Sequence, residues 1–116
     1  MKKKTSLSPM AKRQLLKLGD NIRMARLRRS LSLRAVAQRV GISLNTVVAV
    51  ESGAPGVSIG TIANVLHCLN LADDISLIAK DDQLGRKLQD LELSPKSRAP
   101  RKTKAKELLD LIEDSE

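Results

Sequence analysis

A chain of 116 residues carrying 21 Lys/Arg against 13 Asp/Glu, with no Phe, Tyr or Trp, supports one compact domain with room for tails. Without aromatic side chains it lacks the stacking platforms on which single-strand nucleic-acid binding relies. A core of Leu, Ile, Val, Ala and Met alone is small, which makes dimerisation an expectation before any motif is considered.

The net charge of +8 is unevenly spread. Residues 1–50 hold 12 basic side chains and one acid, Asp20, whereas residues 51–93 hold 3 basic and 7 acidic. A basic half of this kind suits a polyanion, with nucleic acid the first candidate partner, although a charge run is also what a solvated surface looks like. One cysteine, Cys68, excludes an internal disulfide framework and fits a reducing compartment. Nothing approaches the roughly 18 apolar residues of a membrane span. A soluble cytoplasmic protein with no membrane partner is expected.

In chain order, residues 1–14 read as a basic N-terminal arm containing Pro9. From Met10 to about Arg29, Leu15, Leu18, Ile22 and Ala25 recur at helical spacing among basic residues, with Met24 one position off the stripe. Gly19 interrupts that pattern, so the helix proper is expected to begin at Asp20, a good N-cap. Ser32 caps a short helix from Leu33 to Val40, with Leu33, Val36, Ala37 and Val40 inward. Gly41 is a turn residue, Ser43 a second cap, and Ser52-Gly53 a stop.

Between them lies Val47-Val48-Ala49-Val50, a strand by propensity. An orphan strand with no second β-run leaves its backbone groups unpaired, so a helix is expected there, with packing overriding propensity. Ala54-Pro55-Gly56-Val57 is loop by composition. Ser58 caps a helix through Ile59, Ile62, Val65, Leu66 and Leu69, where Gly60 suggests close packing. Asp73-Asp74 and Asp81-Asp82 are read as caps of two further short helices, the second with Leu84, Leu88 and Leu91 on one stripe. Residues 94–106 form a basic linker. Residues 107–116 are an acidic amphipathic tail that either docks or frays.

Two short capped helices joined by Gly41-Ile42-Ser43 make a helix-turn-helix. Its first helix needs a small residue where the two cross, supplied by Ala37. Its second, residues 44–51, turns Val47 and Val50 inward and leaves Ser43, Leu44, Asn45, Thr46, Val48 and Ala49 to face a DNA groove. Its N-terminus offers N–H groups and the positive dipole end to phosphate.

Residues 19–71 resemble the phage-repressor (Cro/cI, XRE-type) DNA-binding domain. The resemblance is carried by Ile22, Arg23, Arg26, Ser32, Ala37, Gly41, Ile42, Ser43, Thr46, Val47, Glu51, Gly53, Ile59, Ile62 and Leu66. It implies an all-α fold: a five-helix repressor-like domain over residues 15–72, the helix-turn-helix at 33–52, an added C-terminal helix and a disordered tail. It also implies an internal ion pair between Arg26 and Glu51. Phosphate contacts are expected from Arg23, Ser32, Leu33, Arg34, Ser52 and Ser58. Leu33 departs from the family, which usually has a phosphate-clamping Gln there. Leu44, Val48 and Ala49 depart from the amides and arginines that commonly read bases. That leaves Asn45 to read adenine and apolar groups to meet thymine methyls, with DNA shape and phosphate contacts carrying the rest.

More weakly, residues 75–93 behind such a domain resemble HipB-like antitoxins of HipA-type kinases. The function this implies is a homodimeric, sequence-specific repressor of its own operon, nucleoid-associated, with residues 73–93 as the dimer or partner surface. The partners are operator DNA and a HipA-type kinase or another co-encoded protein. A stand-alone XRE-type regulator, or an interaction module that has lost DNA readout, are the alternatives. No enzyme activity, cofactor or metal is expected. His67-Cys68 reads as helix packing, since no second His or Cys exists to complete a tetrahedral site.

Overall fold

The computed structural model describes residues 6–92. The first residues of the basic arm, the linker at 94–106 and the acidic tail at 107–116 lie outside them. Helix α1 spans Pro9–Arg28. The Ser8 hydroxyl accepts the Ala11 N–H at 3.1 Å, and Pro9 takes the first turn, where its missing N–H costs nothing. The helix therefore runs through the expected start at Asp20 and takes in residues 9–14, expected as arm.

Gly19 explains the difference. It is buried within α1, and a Cβ there would collide with the Glu51 carbonyl and the Gly53 amide. Its missing side chain serves close approach of two backbones rather than a break. Gly53 does the reciprocal job: its φ is +73°, and a Cβ would lie 2.6 Å from the Leu15 carbonyl oxygen.

Helices α2 (Leu33–Val40), α3 (Leu44–Glu51) and α4 (Ile59–Cys68) follow, each opened by a serine. Ser32, Ser43 and Ser58 accept the N–H groups of Ala35, Thr46 and Thr61 at 3.0, 3.1 and 3.0 Å. Helix α2 stops at Gly41, left-handed at φ +83°, whose N–H meets the Ala37 carbonyl. The Ile42 N–H returns to the same oxygen, so both groups that leave the helix are satisfied.

Among the described residues there is no strand, and Val47 to Val50 are helical. The core consists of Ile22, Ala25, Val36, Ala37, Val47, Val50, Val65, Leu66 and Leu69, bordered by Leu18, Leu33, Val40, Ile42, Ile62 and Ile75. Helix α3 packs on both α1 and α2, and α2 also packs on α4. Burial of a valine or leucine is worth about 1.5–3 kcal/mol, which exceeds the few tenths by which valine disfavours helix. Tertiary packing decides α3.

Three local expectations change. Gly60 has only the Ser58 hydroxyl within reach of an added Cβ, at 3.8 Å, and Ile59 is 63% exposed. The start of α4 thus stands clear of the core rather than packing closely. Asp73 and Asp74 cap nothing: they fall inside the first turn of a 3-10 helix, Ala72–Leu77, whose N-cap position is Leu71. Asp82, by contrast, accepts the Gly85 N–H at 3.0 Å at the start of α5 (Gln83–Glu92). The first compact unit continues to Ile78, past the expected domain end at residue 72, and α5 belongs to a second unit. Among the described residues no helix is long and apolar enough to cross a membrane.

Candidate nucleic-acid interface

Helix α3 shows two faces built from one kind of side chain. Val47 is fully buried and Val50 is 4% exposed, whereas Leu44 and Val48 are 41% and 46% exposed. Because residues four apart stack on a helix, Leu44 and Val48 form one outward row, with Asn45 and Ala49 beside it. Asn45 is exposed and Ala49 half-buried. No basic residue lies on α3, and its one charge is Glu51.

The polar groups expected to face bases divide into two kinds. Ser43 and Thr46 are committed to structure: Ser43 caps the helix, and the two hydroxyls lie 2.8 Å apart. Asn45 has no hydrogen-bond partner among the described residues and keeps its full donor and acceptor capacity.

Arg26 and Glu51 come together beneath this surface. The Arg26 Nε donates to Glu51 Oε2 at 2.6 Å and its Nη2 to Oε1 at 3.0 Å, with both side chains more than nine-tenths buried. Its Nη1 donates to the Leu31 carbonyl at 2.9 Å, just before α2. One guanidinium therefore ties the end of α1, the approach to α2 and the end of α3 together. The hydrogen bond to Glu51 raises the Arg26 pKa above its ordinary value, against the opposing pull of burial. A raised cation contributes stability that is full below the unfolded pKa, far above neutrality, and lost only above the folded one. On the Arg26 side the pair is insensitive to pH throughout the neutral range.

The expected phosphate contacts are unequal. Arg23, Arg34, Ser32, Ser52 and Ser58 are exposed. Ser32 accepts the Ala35 N–H and keeps its own O–H proton for an acceptor, whereas Ser58 donates to the Thr61 hydroxyl and Ser52 to the Ala49 carbonyl at 3.0 Å. Leu33 is half-buried and packs on the core, so only its backbone N–H is suited to phosphate. Arg34 is the strongest candidate because its charge is unpaired among the described residues and stands in the first turn of α2.

A shallow groove beside α3 adds a residue that the sequence reading passed over. It is lined by Asn45, Thr46, Ala49, Ala54, Gly56, Val57, Ser58 and Thr61, so Thr61 stands with the α3 residues. Its signal was available: Ser58-x-x-Thr61 repeats the spacing of Ser43-x-x-Thr46, and both pairs join their hydroxyls. Cys68 is half-buried beside exposed His67, and no cluster of metal-ligating side chains occurs among the described residues.

Comparison with known families places this geometry. A family model described as a helix-turn-helix domain matches residues 17–75, just over half of the chain and the whole of α1 from Lys17 through most of the 3-10 helix. No curated protein and no solved structure matches the chain. A helix-turn-helix domain is the mark of a DNA-binding regulator, and this chain belongs to the helix-turn-helix domain family.

Proposed function

We propose that the protein is a sequence-specific repressor that binds double-stranded DNA as a homodimer. Helix α3 lies in the major groove and α2 crosses the backbone above it. The observation that carries this reading is the combination at α3 of a capped, exposed N-terminus, an uncommitted Asn45 and a locked C-terminus. A helix that reads bases must be held in one register, and Arg26–Glu51 does that without using the outward face.

In this reading Asn45 pairs with an adenine edge, while Leu44, Val48 and Ala49 meet apolar parts of the groove. Thr46 and the capped N-termini sit against the sugar-phosphate wall. Arg23, Arg34 and the backbone from Ser52 to Ser58 hold phosphates and set the register. Half-sites in a two-fold operator then lie about 10–10.5 bp apart, or a multiple of that.

The narrower reading is an autoregulatory antitoxin partnered by a HipA-type kinase, with residues 73–93 as dimer or partner surface. It is supported by the resemblance of residues 75–93, and by Leu84 and Leu88 one helical turn apart on α5.

Selection from a random duplex pool, followed by footprinting, tests the main reading. A recovered two-fold motif with protected half-sites one turn apart is expected. Uniform, salt-sensitive binding with no enriched motif would instead favour a protein-interaction module, to which the outward Leu44 and Val48 are also suited. A footprint tightened by the kinase-like product of a neighbouring gene would identify the antitoxin.

A further inference from the structure

Leu44 and Val48 have no structural employment. Both are more than two-fifths exposed, and neither belongs to the core or to the side chains packed against it. Valine is also a poorer helix former than the Lys, Glu or Gln that would ordinarily occupy a solvent face. The two residues stack one turn apart on the helix that, in the proposed function, enters the major groove. Arg23 on α1 and Arg34 on α2 are exposed and suit a polyanionic partner.

We infer that the Leu44–Val48 ridge reads the C5 methyl of pyrimidines in duplex DNA, whichever base carries it, so that binding responds to cytosine methylation. The inference rests on the proposed function. In the major groove the feature that thymine offers an apolar side chain is its C5 methyl, and 5-methylcytosine carries the same group at the same carbon. Uracil and unmodified cytosine present only a hydrogen there. Each methyl that the ridge covers is removed from water, which corresponds to about a three- to fourfold gain in affinity.

The ridge also discriminates by exclusion. Leucine and valine have no group to pair with the cytosine N4 amino hydrogens or the guanine O6 and N7 acceptors. Covering those groups leaves them dehydrated and unsatisfied. An A·T pair exposes comparable groups but offers its methyl in return; an unmethylated G·C pair offers none, and methylation there supplies it. Asn45, beside the ridge, supplies the polar contact that fixes position and strand.

The test uses the full chain and the best duplex recovered from a random pool. That duplex is remade with uracil at each thymine in turn, and with cytosine or 5-methylcytosine at the same positions opposite guanine. Affinity is expected to fall about three- to fourfold where uracil replaces a contacted thymine, and 5-methylcytosine should bind severalfold tighter than cytosine there. In the Leu44→Ala/Val48→Ala variant, which exchanges exposed residues for the best helix former, both ratios should move to about one while binding to bulk DNA persists.

An enriched motif whose binding is indifferent to uracil and to methylation overturns the inference and leaves the proposed function standing. Ratios that persist in the double variant overturn the assignment to these two residues. A pool that yields no motif overturns the proposed function and the inference with it.

Discussion

Helices α2 and α3 are each eight residues long, and each opens on a serine that accepts the N–H three positions on. Helix α2 divides its sequence cleanly: Val36 and Ala37 are buried, while Arg34, Gln38 and Arg39 are exposed. Helix α3 makes no such division, since Leu44, Val47, Val48, Ala49 and Val50 surround it with apolar groups. The fold sorts α3 by position rather than by polarity, sending Val47 inward and its neighbour Val48 outward. Helix α2 is thus stable by amphipathic pattern and available for phosphate by charge. Helix α3 depends on its cap, its packing and the Arg26–Glu51 lock, and its outer face is left free for a different purpose.

Breaking the lock gives the largest expected effect. Glu51→Ala leaves Arg26 buried without its partner and should destabilise the protein by about 3–5 kcal/mol, seen as a lower denaturant midpoint. Arg34→Ala on α2 should stay within about 0.5 kcal/mol, so a comparable loss from the two would remove the distinction between the helices. Next comes the pair of valines. Val47→Ala should cost about 2 kcal/mol through lost burial and a cavity, while Val48→Ala should change stability by less than about 0.5 kcal/mol. Equal effects would mean that α3 is not held in the orientation described.

The caps follow: Ser43→Ala and Ser32→Ala should each cost about 1 kcal/mol. Only Ser43→Ala should also weaken sequence-specific DNA binding, because its cap sets the start of the reading helix. The smallest effect on stability belongs to Arg34, but its effect on binding is distinctive. Arg34→Ala should weaken binding to all sequences alike and reduce the salt slope by about one unit. An unchanged slope would remove Arg34 from the phosphate contacts.

Much of this was legible in the sequence because the punctuation is chemical. Ser32, Gly41, Ser43 and Ser58 are residues whose side chains or lack of them satisfy helix ends, and they do so here. The helical state of Val47 to Val50 followed from the absence of a partner strand, even against propensity. What misled were groups whose local role has two readings. Gly19 looked like a break, but its function is contact with the Glu51 and Gly53 backbone, 32 and 34 positions away in the sequence and invisible to periodicity. Gly60 invited the opposite error, since it is exposed and packs on nothing closer than Ser58. Asp73 and Asp74 suit a cap, yet Leu71 and Ile75 pack against the core and set a tight 3-10 turn in which the carboxylates merely occupy the first turn. The site itself was readable as a helix face with Ser43 as its cap, but not the pairing of the Ser43 and Thr46 hydroxyls, which needs the folded turn to bring them together.

The most direct measurement compares wild type and Asn45→Ala on a selected duplex and on a scrambled duplex at one fixed salt concentration. Reading of the major groove by α3 predicts a loss of about 1–3 kcal/mol on the selected duplex and no change on the scrambled one. Equal losses on both, or no loss on the selected duplex, would contradict it.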